Sequence, residues 1–269
     1  MREVDKQFSS SIAEIYDSHL VPLIFEPYAD DIARRVSALA PASILEIAAG
    51  SGVATRAVAG ILQPDVRFVV TDLNAPMLDH AESMQPDDHR IEWRAADAQN
   101  LAFGDNSFDL VFCQFGAMFF PDRVAAYREA HRVLRRGGSF VFSMWDRIEE
   151  NEFADVVTQA AAHAFSHDPP RFLARTPHGH SDPEIYRSDL KAAGFGDVTV
   201  TAGEEVSVAA NPSIPAIAYC QGTPLRTEIE DRHGPDLAEM TERAAVAVAD
   251  RFGDGEVRGR IRAFIVAAR

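Results

Sequence analysis

The chain has 269 residues, of which 46% are hydrophobic and 25% are charged. These fractions are typical of a globular protein that buries a core, and they exclude a disordered chain. The net charge of −15 at neutral pH repels phosphate groups, so neither nucleic acid nor an anionic membrane surface is expected as a partner.

Targeting, redox and metal signals are absent from the sequence. No stretch approaches the roughly 20 apolar residues of a membrane span, and the first residues, MREVDKQFSSS, lack the apolar core of a signal peptide. A cytoplasmic protein is therefore expected. Cys113 and Cys220 lie far apart, and Cys113 sits in an apolar run that predicts a buried free thiol. No His/Cys/Asp cluster has the spacing of metal ligands, so no metal is predicted.

The first 40 residues are predicted to form an amino-terminal helical cap. Apolar residues recur there at helical spacing, and Pro41 closes the region. The recurring residues are Phe8, Ile12, Ile15, Tyr28, Ile32, Val36 and Leu39.

From residue 41 onward, apolar runs that predict strands alternate with helical spacing. The predicted strands are 43–48, 66–71, 91–95, 108–115 and 139–145, and the predicted helices are 53–62, 75–84 and 121–136. The last helix is expected to begin at Pro121 and to end before Gly137. Its final turn is expected to contain the cations Arg132, Arg135 and Arg136, which favour the helix dipole.

This alternation predicts an α/β fold, a doubly wound, Rossmann-like and mostly parallel sheet. After Trp145 the sequence predicts helical stretches followed by a Pro/His-rich loop. Beyond the loop it predicts a helix at 183–193 and strands at 197–208 and 260–268. The expected divisions are a helical cap (1–40), a core (41–146), an insertion or lid (147–182) and a completion of the core (183–269) with a second helical insertion near 209–255. Both insertions follow strand ends, where open α/β sheets bind ligands.

The strongest chemical signal is the segment ILEIAAGSGVATR at 44–56, in which a strand runs into a turn of small residues that opens a helix. Small residues let a ligand approach the backbone, and the amides at the helix start can meet a carboxylate or phosphate. A tight turn that binds nothing would give the same pattern, so this signal alone leaves the question open.

Acidic residues follow the next two predicted strands. Asp72 comes about 20 residues after Gly52, the spacing at which a carboxylate accepts hydrogen bonds from ribose hydroxyls. Asp97 ends the third predicted strand, where a carboxylate can accept a hydrogen bond from the exocyclic amine of adenine. Either residue could instead cap a helix or a loop. Three signals at successive strand ends nevertheless favour a nucleoside-containing cofactor.

These motifs resemble, in the same order, those of the class I S-adenosylmethionine-dependent methyltransferases, and most closely the group that contains the quinone-biosynthesis methyltransferases. The resemblance covers about residues 40–145, and more weakly 183–200. It is carried by LEIAAGSG, Asp72, the AADA around Asp97, FDLVFCQF and HRVLRRGGSFVFSMW. The sequence departs from the family at Ala48, where glycine is common, and a modest cost is expected from this change.

The resemblance implies S-adenosylmethionine as the cofactor and assigns its contacts. Glu46 would orient the glycine turn, and Asp72 would accept hydrogen bonds from the ribose hydroxyls. The carbonyl of Gln114 would bind the methionine amino group. The other implied contacts are Ala48, Gly50 and Gly52 along the methionine and ribose, Leu73 and Met77 on the adenine, Asp97 and Ala98 at the adenine edge, and Tyr16 over the carboxylate unless it is an ordinary core aromatic.

The acceptor is expected to be a small molecule that the sequence does not identify, and a homodimer remains open. Because the sulfonium already makes the methyl carbon electrophilic, alignment of the nucleophile is the main requirement, and no catalytic residue is assigned. The histidines that could act as bases are His19, His178 and His180, although surface or structural roles are favoured for all three. His131 is expected at the edge of a packed helix face.

Two other functions share parts of this pattern. A nicotinamide-dependent oxidoreductase has the same strand, turn and acidic residue, but its fingerprint requires Gly or Ala where this chain has Thr55. A cofactor-binding protein without catalysis would keep the whole pattern.

Overall fold

The computed structural model describes residues 14–269 of the chain. Among them a seven-stranded sheet has the order β3-β2-β1-β4-β5-β7-β6. The strands are β1 (Ser43–Glu46), β2 (Arg67–Asp72), β3 (Ile91–Ala95), β4 (Phe108–Gln114), β5 (Leu134–Trp145), β6 (Val198–Ala209) and β7 (Val257–Ala268). The helices are α1 (Glu26–Ala38), α2 (Val53–Ala59), α3 (Ala75–Met84), α4 (Arg123–Val133), α5 (Glu152–Ala164), α6 (Phe172–Arg175), α7 (Pro183–Ala193), α8 (Ser213–Gln221), α9 (Leu225–Glu230) and α10 (Leu237–Phe252).

The strand order reverses at β1, which pairs in parallel with β2 on one side and with β4 on the other. Strands β2 with β3 and β4 with β5 are also parallel. This arrangement confirms the predicted doubly wound α/β fold. It also places the switch point, where such sheets bind ligands, at the carboxyl ends of β1 and β4.

The chain divides into two compact units. The sheet unit comprises residues 28–144, 182–203 and 263–269, and the helical unit comprises the described residues 14–27 together with 145–181 and 204–262. In the sheet unit, Leu45, Val69 and Phe112 of three neighbouring strands have no exposed surface. Such burial is expected of parallel strands that are covered on both faces.

The first helical segment of the described residues is irregular. A π-helical segment, Tyr16–Phe25, continues directly into α1. Pro22 lies inside this segment and has no N–H to donate, so regular α-helical bonding is interrupted there. The predicted helicity is confirmed over residues 16–38, whereas Phe8 and Ile12 lie outside the described residues.

The prediction of a helix over 121–136 is wrong at its carboxyl end. Helix α4 ends at Val133 and β5 begins at Leu134, so Arg135 and Arg136 belong to a strand. The reason is a partner distant in sequence: Leu134 pairs with Phe108 of β4, and Arg135 Nη1 donates to Asp109 Oδ1 at 2.7 Å. At its start, the Asp122 side chain caps α4 by accepting the amide of Ala125.

Smaller differences concern element ends. The strand predicted over 43–48 stops at Glu46, and the helix predicted over 53–62 stops at Ala59. The final strand begins at Val257, three residues before the predicted start.

Several packing predictions are confirmed. Cys113 is a buried free thiol as predicted, and Cys220 is buried as well. The ring of His131 packs edge-on against Phe195 at 4.9 Å between centroids. Over residues 14–269 no helix is long and apolar enough to cross a membrane.

Candidate cofactor-binding site

The turn after β1 is built from left-handed residues. Ala48, Gly50 and Gly52 have φ angles of +56°, +59° and +78°, which glycine adopts without the steric cost that a Cβ adds. A Cβ placed on Gly50 would meet no atom within 4 Å, so a ligand can approach the backbone there. A Cβ on Gly52 would lie 2.9 Å from the Cβ of Ala81 in α3. Gly52 is therefore also required for helix packing.

The alanine at position 48 is accommodated by a glycine opposite. A Cβ on Gly116, just after β4, would lie 2.6 Å from the Cβ of Ala48 and 2.8 Å from Cys113 Sγ. Because Gly116 has no side chain, the methyl group of Ala48 fits between the two strand ends. The left-handed conformation of Ala48 itself costs roughly 1–2 kcal/mol relative to glycine, in keeping with the modest cost expected from the sequence.

Asp72 ties the turn to the end of β2. Its Oδ2 accepts the amide of Gly50 at 2.8 Å, and its Oδ1 accepts the amide of Asn74 at 2.7 Å. Asn74 occupies the amino-terminal cap position of α3 but makes no side-chain cap bond there, and Asp72 accepts the Asn74 amide directly before the helix. Burial raises the pKa of Asp72, and the bonds from Asn74 and Gly50 oppose this shift. Each carboxylate oxygen keeps a second lone pair that can accept a ligand hydroxyl.

Glu46 lies beneath the turn and is 1% exposed. Its Oε2 accepts the Thr55 hydroxyl at 2.6 Å, and its backbone carbonyl accepts the Thr71 hydroxyl at 2.7 Å. Burial, helped by the charge of Asp72, raises the pKa of Glu46 to about 8. The Glu46 carboxyl is therefore mostly protonated at neutral pH.

The residues predicted to meet a nucleobase follow β2 and β3. Leu73 is 64% exposed, an unusual position for a leucine, whereas Met77 and Ala98 are buried. Asp97 Oδ1 accepts the amide of Gln99 at 2.9 Å, which closes the turn after β3. The loop role anticipated for Asp97 is thus present, and its other carboxylate oxygen remains for a ligand.

The end of β4 contains features that the sequence analysis missed. Phe115 follows Gln114 with a φ of +52°, a strained conformation for a bulky residue. Its amide donates to the Ser143 hydroxyl of β5 at 3.0 Å, and its ring contacts Tyr28 edge-on at 5.3 Å.

The parallel register brings most of the predicted residues to one sheet edge. Glu46 is opposite Val70 and Phe112, and Gln114 is opposite Ser143, so β1, β2, β4 and β5 end together. Tyr16 belongs to the helical unit, where its ring lies 5.3 Å from that of Phe25. Its predicted contact with the cofactor stays a prediction.

Comparison with known proteins identifies the family. Residues 45–142 match the family model described as a methyltransferase domain. Over 169 residues, which are 58% of this chain and 68% of the relative, the sequence is 32% identical to the ubiquinone/menaquinone biosynthesis C-methyltransferase UbiE of Hahella chejuensis. The chain belongs to the class I S-adenosylmethionine-dependent methyltransferases. This membership makes S-adenosylmethionine the cofactor and decides against a nicotinamide-dependent oxidoreductase.

A second relative and a solved structure are also similar to the chain. UbiE of Rickettsia felis is 26% identical to the methyltransferase over 71% of this chain and 84% of the relative. A solved structure of a Bacillus halodurans C-125 protein matches it with a TM-score of 0.57 at 18% identity, covering 89% of this chain and 97% of the other. At that identity the match supports the fold alone.

The chain's own residues fit this cofactor, which is an amino acid joined to a nucleoside. The backbone at Gly50 is open, and Asp72 offers two acceptor oxygens near it. The Ser51 hydroxyl is buried and, among the described residues, has no hydrogen-bond partner. Buried polar groups without partners are rare, so a ligand carboxylate or amine is a suitable partner for Ser51.

Proposed function

We propose that the methyltransferase transfers the methyl group of S-adenosylmethionine to a ring carbon of a small, quinone-like aromatic acceptor. The observation that carries this proposal is the similarity to UbiE, whose name assigns it a C-methyltransferase activity in ubiquinone and menaquinone biosynthesis. The similarity spans more than the cofactor motifs, since the alignment includes 58% of this chain.

The same proposal assigns the cofactor contacts. Asp72 accepts hydrogen bonds from the ribose hydroxyls, and the backbone carbonyl of Gln114 accepts one from the methionine amino group. Glu46 holds the turn through Thr55 and needs no contact with the cofactor. The remaining contacts are Ala48, Gly50 and Gly52 along the methionine and ribose, Leu73 and Met77 on the adenine face, Asp97 and Ala98 at the adenine edge, and Tyr16 at the carboxylate.

The protein's main task in this reaction is orientation. When bound, the cofactor supplies a methyl carbon made electrophilic by the neighbouring sulfonium. The Gly50–Asp72 hydrogen bond and the left-handed turn fix the backbone before the cofactor arrives. Orientation of this kind can contribute up to about 7–11 kcal/mol. A carbon acceptor needs an adjacent ring hydroxyl that loses its proton to make the carbon nucleophilic. After it takes the methyl group, that ring carbon loses its hydrogen as a proton to solvent, so the products are the methylated ring, S-adenosylhomocysteine and a proton.

The test has two stages. Calorimetry should detect binding of S-adenosylmethionine and S-adenosylhomocysteine. The protein is then incubated with S-adenosylmethionine and a panel of hydroquinones, phenols, amines and thiols, and NMR locates the transferred methyl group. A methyl group on a ring carbon supports the proposal, and one on oxygen, nitrogen or sulfur contradicts it. Cofactor binding without any product would favour the non-catalytic alternative.

A further inference from the structure

The residue that follows β4 is held in a conformation that bulky side chains rarely adopt. Phe115 has a φ of +52°, in the left-handed region of the backbone. Strain of this kind persists only where the surroundings impose it. The amide of Phe115 donates to Ser143 Oγ at 3.0 Å, and its ring lies edge-on against that of Tyr28 at 5.3 Å. All three residues belong to the sheet unit, so neighbours within one unit maintain the strain.

The hydrogen bond to Ser143 fixes the direction of the preceding carbonyl. In a trans peptide the N–H and the C=O point in opposite directions. The amide of Phe115 points toward β5, so the carbonyl of Gln114 points toward β1, the strand on the other side of β4. Two residues earlier, the carbonyl of Phe112 points the same way and accepts the amide of Ile47 at 3.0 Å. The Gln114 carbonyl is therefore directed toward the turn that follows β1.

That turn is where the amino-acid part of the cofactor is assigned. Ala48 of the turn lies beside the end of β4, since a Cβ on Gly116 would be 2.6 Å from that of Ala48. The backbone at Gly50 is open, and Gln114 is partly exposed. A backbone carbonyl has two lone pairs and can accept a donor from a ligand. The amino group of S-adenosylmethionine is such a donor.

Without the Ser143 hydroxyl, this peptide has reason to rotate. Phe115 is buried, so in the observed orientation its amide would lack an acceptor, which is costly. A rotation of the peptide by about 180° would take the φ of Phe115 from +52° to about −130°, an ordinary extended value. The same rotation would turn the Gln114 carbonyl toward β5 and away from the turn. The hydroxyl thus stabilises the strained orientation that directs the carbonyl to the turn.

From these contacts, and resting on the Gln114 contact in the proposed function, we propose that Ser143 is a positioning residue for the cofactor. Its hydroxyl holds the Phe115 amide, so that the Gln114 carbonyl accepts a hydrogen bond from the amino group of S-adenosylmethionine. Ser143 acts through the backbone and needs no contact with the cofactor. Its effect is therefore confined to ligands that carry the amino group.

The test compares two ligands that differ only at this group. Calorimetry gives the dissociation constants of S-adenosylhomocysteine and of its desamino analogue, in which hydrogen replaces the amino group. We expect the wild type to bind S-adenosylhomocysteine about tenfold to a hundredfold more tightly, the effect of one hydrogen bond from a charged donor. Ser143→Ala should lower this preference to about twofold or less, because the carbonyl is no longer held toward the amino group. Its affinity for the desamino analogue should stay within about twofold of wild type, because that ligand makes no such bond.

Three further variants separate positioning from stability. Ser143→Thr retains the hydroxyl and should keep the preference. Ser143→Cys offers only a weak sulfur acceptor and should lose most of it, which provides a second test if the alanine variant does not fold. The matched control is Ser139→Ala in the same strand. Ser139 is also buried, and its hydroxyl accepts a hydrogen bond from Arg269 Nε at 3.1 Å. This control should keep the full preference.

The outcomes separate this inference from the proposed function. A wild-type preference in folded Ser143→Ala or Ser143→Cys overturns the inference and leaves the Gln114 contact standing. An equal loss of affinity for both ligands also overturns it, because the hydrogen bond would then serve only the fold. If the wild type itself binds both ligands equally, the Gln114 contact fails and the inference fails with it. Loss of the preference in the variants, with its retention in Ser143→Thr, supports both.

Discussion

The protonation of Glu46 leads to a quantitative prediction about stability. Its pKa of about 8 in the folded chain stands above the ordinary value of 4.5. A carboxyl whose pKa is raised by folding stabilises the native state fully below pH 4.5, and this contribution is lost as the pH rises toward 8. Glu46→Gln keeps the shape of the neutral carboxyl but cannot ionise. The variant should therefore match the wild type at pH 4.5 and become progressively more stable than it up to pH 8.

The size of the difference follows from the same values. Each pH unit between the two pKa values is worth about 1.4 kcal/mol, so the variant should exceed the wild type by about 3 kcal/mol at pH 7 and by at most about 5 kcal/mol above pH 8. Urea unfolding at a series of pH values measures this difference. Trp93 of β3, in a Trp145→Phe background, reports on the sheet unit.

A control with the opposite sign is available at Glu129. The hydrogen bond from Arg132 lowers the pKa of Glu129, so Glu129→Gln should lose stability relative to the wild type above pH 4.5. If instead the wild-type and Glu46→Gln curves run parallel from pH 5 to pH 8, Glu46 ionises normally in the folded chain and the reasoning is refuted.

Two further predictions concern the turn. Asp72→Asn should weaken S-adenosylmethionine binding about tenfold to a hundredfold in calorimetry, because one acceptor oxygen is replaced by an amide that donates. Asp79→Asn, on the exposed side of α3, should leave the affinity unchanged. Gly116→Ala should destabilise the fold by at least about 1 kcal/mol, because its Cβ would lie 2.6 Å from that of Ala48. Adding Ala48→Gly should restore part of this loss, and strictly additive effects in urea unfolding would contradict the contact.

Local sequence patterns predicted most of the sheet unit. The helix over 75–84 and the strand over 91–95 have the predicted bounds, because apolar periodicity and flanking prolines act within a few residues. The boundary at Leu134 was missed because it depends on pairing with Phe108 and on the ion pair of Arg135, neither of which is visible locally. Three arginines within five residues, followed by two glycines, are typical of a helix end, and only the neighbouring strand shows otherwise.

The candidate site likewise contains residues that the sequence predicted and residues that it did not. Residue type and spacing were enough to select Gly50, Asp72 and Asp97, since each follows a predicted strand. The strained Phe115 and its bond to Ser143 could not be foreseen, because backbone strain is imposed by packing rather than by composition. Outside the site, the contact of His178 Nδ1 likewise depends on the backbone oxygen of Asp146, 32 residues earlier in the chain.

Glu46 and Asp72 lie at the same turn but have different hydrogen-bond donors. Asp72 is bonded by two backbone amides that favour its ionised form, whereas Glu46 has a single hydroxyl donor and complete burial. Burial raises the pKa of both carboxyls, and a neutral Glu46 places no second negative charge beside Asp72 and Gly50. If Glu46 only holds the turn, Glu46→Gln should bind S-adenosylmethionine within about twofold of wild type at pH 7, which is less than half a kcal/mol. A loss as large as that of Asp72→Asn would mean that the cofactor needs the Glu46 carboxyl itself.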